Sequence, residues 1–280
     1  MSLQKFFSTL GATAKGAGKM LVLSRGASVK ALHRDRPLVV LGNGPSLNET
    51  LKSRREQLDK CDLVAVNFAA NAPVFTELRP EYYILADPFF FSGKDTENLV
   101  CLRRGLSQVD WPMTLLVPVK MAKKAEALIA GNKNISILTF NAVGVEGFGW
   151  FRNVAYGVRL GMPRPRNVLI SAIMCGIWLG YDKIYIAGAD HSWMQSIYVD
   201  DNNHVVSVQP HFYSDSEQER ARVYAEYEGY RLHDIVYSFY VAFRAYHDIR
   251  AFADRRGVDI VNITPASYID AFPRASEIPV

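Results

Sequence analysis

The chain has 280 residues, of which 49% are hydrophobic and 12% aromatic, enough to bury a full core and far from the composition of a disordered or fibrous polymer. Its net charge of +4 is small and confined to one end, which argues against a nucleic-acid-binding surface. Three cysteines, Cys61, Cys101 and Cys175, stand too far apart for a C-x-x-C metal site or an even disulfide framework, a pattern that fits a reducing cytoplasm.

Residues 1–36 carry the positive charge: Lys5, Lys15, Lys19, Arg25, Lys30, Arg34 and Arg36 stand against Asp35 alone, a balance of +6 that leaves −2 for the remainder. Phe6, Phe7, Leu10, Met20, Leu21 and Leu23 lie among these bases, a composition suited to a basic amphipathic helix on an anionic membrane surface. Gly11, Gly16 and Gly18 weaken a long helix, so a frayed basic tail is the competing expectation. No run approaches the roughly eighteen apolar residues of a spanning helix, and the N-terminus lacks a signal-peptide core and cleavage site. The expected location is cytoplasmic, with peripheral attachment at the inner face of the membrane as the added possibility for this segment.

Leu38-Val39-Val40-Leu41 predicts a strand over 38–42 that feeds through Gly42-Asn43-Gly44-Pro45-Ser46 into a helix over 47–59. Gly42 and Gly44 permit a sharp turn and close approach of a ligand, Pro45 stiffens the helix entry, and Ser46 with Glu49 has the S-x-x-E spacing of a capping box. N–H groups at the start of that helix are predicted to face a phosphate or carboxylate. Leu47 takes the place of the third glycine of the dinucleotide fingerprint and no G-K-[S/T] follows, so ordinary NAD and ATP loops are poor matches.

Further strands are predicted over 62–66, 82–86, 113–118, 135–139, 183–187 and 258–263, and further helices over 120–130, 167–179 and 233–256. This alternation predicts an α/β fold, a Rossmann-like, doubly wound and mostly parallel sheet. Asn167 reads as an N-cap and Gly180 as a stop for a deeply buried crossover helix, while Val236, Phe239, Phe243, Tyr246, Ile249 and Phe252 form a core stripe on the last helix. Asn67, Asp87, Asp190 with His191, and Thr264 each follow a strand, and ligands of open α/β sheets bind outside these carboxyl ends. Together with the glycine turn they predict one shared cleft.

After Asp190-His191-Ser192-Trp193 the alternation breaks, and Ile197 to Val208 predicts a hairpin turning through Asp200-Asp201-Asn202-Asn203. Residues 192–232 are expected to form an inserted lid, rich in Tyr198, His204, His211, Tyr213, Tyr224, Tyr227 and Tyr230. The predicted organisation is therefore a basic segment over 1–36, the first part of a nucleotide-binding core over 37–191, the lid over 192–232, and a C-terminal helix and strand over 233–280 that complete the core.

Leu41-Gly42-Asn43-Gly44-Pro45-Ser46-Leu47 resembles the G-N-G-P-S-L opening of bacterial sialyltransferases of glycosyltransferase family 42. Residues from Ser171 to Asp190, with Leu179-Gly180-Tyr181, Ile184-Tyr185 and Gly188-Ala189-Asp190, are similar to that family's buried helix, L-G-Y-x-x-I-Y turn and G-x-D strand end. Weaker similarity runs from Asp248 to Ser267, and the same glycine and G-x-D motifs also resemble the DUF115 group, which includes motility accessory factors and 6-hydroxymethylpterin diphosphokinase-like proteins.

The resemblance implies a GT-A-like nucleotide-binding domain that transfers a sialic-acid-like sugar from a CMP-activated donor, with inversion and without a metal or other cofactor. It implies that Gly42, Asn43, Gly44, Pro45 and Ser46 hold the nucleotide phosphate and ribose, that Asn67 matches an asparagine at the second strand end, and that Asn167 lies near the base. Asp87, Asp190, Thr264 and Ser267 are further donor-binding candidates, with Tyr198 and Tyr213 as phosphate-binding tyrosines of the lid. Val168-Leu169 replace a Ser-Gly pair of the family, which leaves the base on the nucleotide open. Phe243 occupies the column of the family's general-base histidine, so the base is sought nearby: His233 first, because it opens the last helix, and His191 second.

The expected partners are a nucleotide-sugar donor and a glycan or glycolipid of the bacterial surface, with no nucleic acid and with homo-oligomerisation left open. Two other functions fit the same residues. One is a pterin diphosphokinase-like transferase in which Asp87, Asp190 or Asp200 binds Mg²⁺; the other is a non-catalytic nucleotide- or glycan-binding scaffold.

Overall fold

The computed structural model describes residues 2–32, 35–207 and 229–278. In chain order the strands are β1 (Leu38–Leu41), β2 (Asp62–Val66), β3 (Tyr82–Ile84), β4 (Met113–Pro118), β5 (Ile135–Phe140), β6 (Lys183–Ala187), β7 (Ile197–Val199), β8 (Val205–Ser207) and β9 (Asp259–Asn262). Seven of them form one sheet ordered β5-β4-β3-β2-β1-β6-β9, and every pairing in it is parallel. These are the seven predicted core strands, so the α/β, Rossmann-like expectation holds.

The helices are α1 (Leu3–Leu23), α2 (Leu47–Ser53), α3 (Arg55–Leu58), α4 (Val74–Leu78), α5 (Glu97–Ser107), α6 (Ala122–Leu128), α7 (Gly149–Gly157), α8 (Val168–Leu179) and α9 (Leu232–Asp254). Side chains alternate across a strand, so β1 sends Leu38 and Val40 to one face and Val39 and Leu41 to the other. The first face packs on α8 and α9 through Ile173, Cys175, Ala245 and Ile249; the second packs on Leu47 and Leu58, and farther along the sheet on Leu99, Leu102 and Leu106 of α5. Apolar runs fully buried on both faces are what a covered parallel sheet requires. In α8, Leu169 to Leu179 are all buried, with Asn167 accepting N–H bonds from Leu169 and Ile170 and Gly180 closing the helix at φ 95°. Truncating a fully buried residue such as Ile173 to alanine is expected to cost about 2–5 kcal/mol.

Both sheet edges are covered. The chain after α1 lies along β5, where the Val29 N–H donates to the Thr139 carbonyl at 3.0 Å; the C-terminal segment lies along β9, where the Asn262 N–H donates to the Pro273 carbonyl at 2.8 Å. This removes two open ladders that would otherwise template aggregation.

Local structure settles one open alternative and departs from the sequence pattern in two places. The amino-terminal segment is one 21-residue helix, despite its glycines, because Gly16 lies against Val145, the Glu146 carbonyl and the Phe151 ring where a Cβ would crowd them. The helix expected over 47–59 is broken at Arg54, whose φ of −130° separates α2 from α3. The short helices α4, α5 and α7 were not anticipated. The expected hairpin forms as β7 and β8, antiparallel, with Val205 packed beside Ile235 and Phe239 of α9.

Candidate functional site

Strands β1 to β5 build outward on one side of the sheet and β6 and β9 on the other, so the winding reverses between β1 and β6. Loops leaving adjacent strands at such a point diverge and leave a crevice at the carboxyl edge. The two loops here are the Gly42–Ser46 turn and the Gly188–His191 segment. They start in close register: the Gly42 N–H donates to the Ala187 carbonyl and the Gly44 N–H to the Gly188 carbonyl, each at 2.8 Å. A Cβ on Gly42 or Gly44 would come under 3.0 Å from the Gly188 carbonyl, and one on Gly44 would also collide with the Asp190 carboxylate. Glycine is required at both places by close backbone approach.

The anion at this turn is the protein's own. Ser46 Oγ donates to Asp190 Oδ2 at 2.8 Å and the Ser46 N–H to Oδ1 at 3.3 Å. The predicted capping box does not form, since Ser46 is itself helical at φ −64° and makes no side-chain cap bond. An ionised carboxylate is the stronger acceptor and takes the hydroxyl. The expected ring of free N–H groups for a phosphate is thereby corrected: Leu47 and Asn48 donate back to Gly44 and Pro45, at 3.0 and 3.3 Å, and α2 has only seven residues. Pro45 is exposed at the mouth of the turn.

One amide oxygen beside the turn is left without a partner. Asn43 donates from Nδ2 to the Val66 carbonyl at 3.2 Å, while its Oδ1 is buried without a partner among the described residues. Asn67, on the neighbouring strand end, is held in the left-handed region at φ 53°, with its N–H donating to the Ile84 carbonyl at 3.2 Å and its carbonyl accepting the Tyr83 hydroxyl. Asn43 and Asn67 thus border the same stretch of the carboxyl edge.

Behind the turn lies a buried polar cluster. His191 is also left-handed, at φ 54°, and only 6% exposed. Its Nε2 lies 2.7 Å from the Tyr246 hydroxyl, which donates to Asn167 Oδ1 at 3.0 Å, and Asn167 passes the chain of bonds to the first N–H groups of α8. A consistent hydrogen assignment has neutral His191 donating from Nε2 to Tyr246. Trp193 covers the imidazole with ring centres 4.2 Å apart, and Phe243 touches its edge side. Burial pushes the His191 pKa down to about 3. An imidazole held neutral in this way is a strut, and a poor proton acceptor at neutral pH.

The other predicted residues divide sharply. Thr264 and Ser267 are buried and serve the Gly188–Asp190 segment: Thr264 Oγ1 accepts from the Ala189 N–H at 3.1 Å, and Ser267 Oγ donates to the Ala189 carbonyl at 2.6 Å. Asp87 stands exposed after β3, where its Oδ1 caps the Phe89 N–H at 2.7 Å. Tyr198 is 54% exposed on β7. His233 is 81% exposed beside Asp234 at 3.5 Å, and lies about 20 Å along α9 from Tyr246 at ~1.5 Å per residue. The structure therefore brings Gly42, Asn43, Gly44, Ser46, Asn67, Asn167, Asp190, His191, Thr264 and Ser267 to one end of the sheet and leaves His233 apart from the turn. Tyr213 lies outside the described residues, as do His211, Tyr224 and Tyr227.

The carboxylates suggested for Mg²⁺ do not converge. Asp87 caps Phe89, Asp190 holds Ser46, and Asp200 accepts the Asn202 and His204 N–H groups of its own hairpin turn. Among the described residues no group of three or more His, Cys, Asp or Glu side chains is placed to hold a metal.

Sequence reasoning missed Tyr246 and Trp193 as members of the site. Tyr246 was visible only as one position of an apolar stripe; its hydroxyl, the one polar atom in that stripe's buried centre, was the available signal.

No protein-family model matches the chain, and no curated protein matches it. Among solved structures it is similar to the MAf glycosyltransferase from Magnetospirillum magneticum AMB-1, with a TM-score of 0.49 and 10% sequence identity over 95% of this chain and 38% of that one. The chain spans well under half the length of that protein.

Proposed function

We propose that the chain is an inverting glycosyltransferase that takes a sialic-acid-like sugar from a CMP-activated or other nucleotide-activated donor and passes it to a bacterial surface glycan. The observation that supports this most is a meeting of segments. The two motifs similar to family 42 sialyltransferases, Gly42 to Leu47 and Ser171 to Asp190, are more than a hundred residues apart, yet they join at the switch point through Gly42–Ala187, Gly44–Gly188 and Ser46–Asp190.

In this proposal the donor's nucleotide lies along the carboxyl edge over the glycine turn. Asn43, with its unpartnered Oδ1, and Asn67 hydrogen-bond ribose or base edges, while Asp190 accepts a hydroxyl of the donor rather than facing its phosphate, because like charges repel. Asn167 is placed by Tyr246 and His191, and Thr264 and Ser267 hold the Asp190 loop in register. Position favours His191 as the base that removes the acceptor proton, but burial lowers its pKa and leaves it a poor proton acceptor. The proposal gives the proton step to His233, exposed at the start of α9, with Tyr198 of β7 toward the leaving phosphate; His191 orients. General-base help of this kind is worth about 10²–10⁴ in rate. No metal enters the proposed chemistry.

The test is release of nucleotide from CMP-, UDP- and GDP-sugars in EDTA, with a glycan acceptor present. Turnover of one donor class, lost in His233→Ala while donor binding survives, is the expected result. Absence of turnover and of binding with every donor would reject the proposal; ATP-dependent, EDTA-sensitive transfer would replace it with the pterin diphosphokinase-like function, and binding without turnover with the scaffold.

A further inference from the structure

Helix α1 is docked by one side only. Thr13 Oγ1 accepts the Phe148 N–H at 3.0 Å, Gly16 lies against Val145, Glu146 and Phe151, and Phe6 packs on Phe148 with ring centres 5.7 Å apart. An adjoining side is apolar and bare: Leu3 is 73% exposed, Phe7 60%, Leu10 45% and Leu21 85%. At 3.6 residues per turn these four fall within an arc of about 60°. Burial of large apolar side chains is the main stabilising term of folding, so exposed clusters of this kind at both ends of one helix face mark a surface meant for a partner.

Charge says which partner. Helix α1 carries Lys5, Lys15 and Lys19 and no acidic residue. At the same spacing Lys15 and Lys19 follow the stripe at about 110° and 150° round the helix and Lys5 lies nearly opposite it; burial, then the nearby charges of Lys15 and Arg164, lowers the Lys19 pKa. A helix with three lysines and no acidic residue offers an identical copy no charge complement, whereas it complements an anionic surface. Beside α1, α7 begins directly after Phe148 and exposes Trp150 and Val154, followed by Val158 at its C-cap. A tryptophan with a polar tip and apolar body suits the boundary between headgroups and acyl chains. No helix among the described residues is long and apolar enough to cross a membrane, so such a helix would lie in the interface plane.

We infer that the outer face of α1, with its lysine flank, docks the protein flat on an anionic lipid bilayer. The inference is independent of the glycosyltransferase proposal, since it uses neither the glycine turn nor either histidine. Lysines placed at such a surface gain from the negative potential of the leaflet, and the exposed leucines and phenylalanine gain from burial among acyl chains.

The experiment is flotation of the whole chain with vesicles of phosphatidylcholine alone and of phosphatidylcholine mixed with phosphatidylglycerol. Binding is expected to the mixed vesicles, weakened by salt and weaker by roughly tenfold or more in Phe7→Asp/Leu10→Asp and in Lys5→Glu/Lys15→Glu. These side chains are exposed, so an unchanged melting temperature shows that each variant is folded. Failure to float with the mixed vesicles, or equal flotation of both variants and wild type, overturns the inference. So does a dimer in sedimentation velocity that Phe7→Asp dissociates, which would make a second copy the occupant of the face.

Discussion

Two histidines on neighbouring parts of one structure live in opposite environments. His191, packed on the middle of α9, is 6% exposed, bonded to Tyr246 and covered by Trp193; His233, at the helix's start, is 81% exposed with Asp234 beside it. The first has the position of a reactive group and has lost its basicity to burial. The second keeps contact with water and stands away from the turn. A histidine's usefulness as a base therefore depends on a balance between being placed and being solvated, and here the fold has divided the two properties between two residues.

Substitution separates them most strongly. His191→Ala removes a buried ring from between Trp193, Phe243 and Tyr246, and is expected to cost about 3 kcal/mol by cavity formation and a lost hydrogen bond. Urea unfolding measures it, and a cost near zero would mean that the imidazole is not the strut described.

Acid sharpens the same contrast. The folded His191 pKa of about 3 lies below its ordinary 6.5, so the unfolded chain binds the proton more readily and stability falls as pH drops from 6.5 toward 3. Between pH 7 and 5 the loss from this residue is about 2 kcal/mol. A flatter pH profile of stability in His191→Asn is the check.

Asp190→Asn keeps the shape of the Ser46 contact and removes its charge. The expected loss is about 1 kcal/mol. Because the proposal has Asp190 accept a hydroxyl of the donor, calorimetric titration is expected to find a weaker nucleotide affinity in the variant; an unchanged or raised affinity would remove Asp190 from a direct role in holding the donor.

The smallest effect falls on His233→Ala, within about 0.5 kcal/mol of wild type in unfolding. A cost as large as that of His191→Ala would erase the distinction between the two residues.

Much of the sheet was legible because each strand is a short apolar run closed by a small or polar residue, as Val64-Ala65-Val66-Asn67 and Ile186-Ala187-Gly188 show. The glycine turn was legible as a special backbone, though its partner was not: the Asp190 carboxylate that claims Ser46 lies 144 residues away, and no local spacing encodes such a contact. The same competition silenced the Ser46–Glu49 pattern. Helix α1 was obscured for the opposite reason. Glycine lowers helix propensity locally, whereas at Gly16 the lack of a Cβ is what lets the helix dock. The state of His191 depended on Tyr246 and Trp193 arriving from other elements, and burial of that kind is set only when the chain is assembled.

The central claim is that the switch-point crevice binds a nucleotide. Calorimetric titration of the wild-type chain and of Asn43→Ala with CMP, UDP, GDP and ATP tests it most directly. One nucleotide is expected to bind wild type and to lose roughly tenfold or more in affinity in the folded Asn43→Ala variant, which lacks the buried, unpartnered Oδ1 that the proposal assigns to the nucleotide. Binding of none of the four, or equal binding by both proteins, would contradict it.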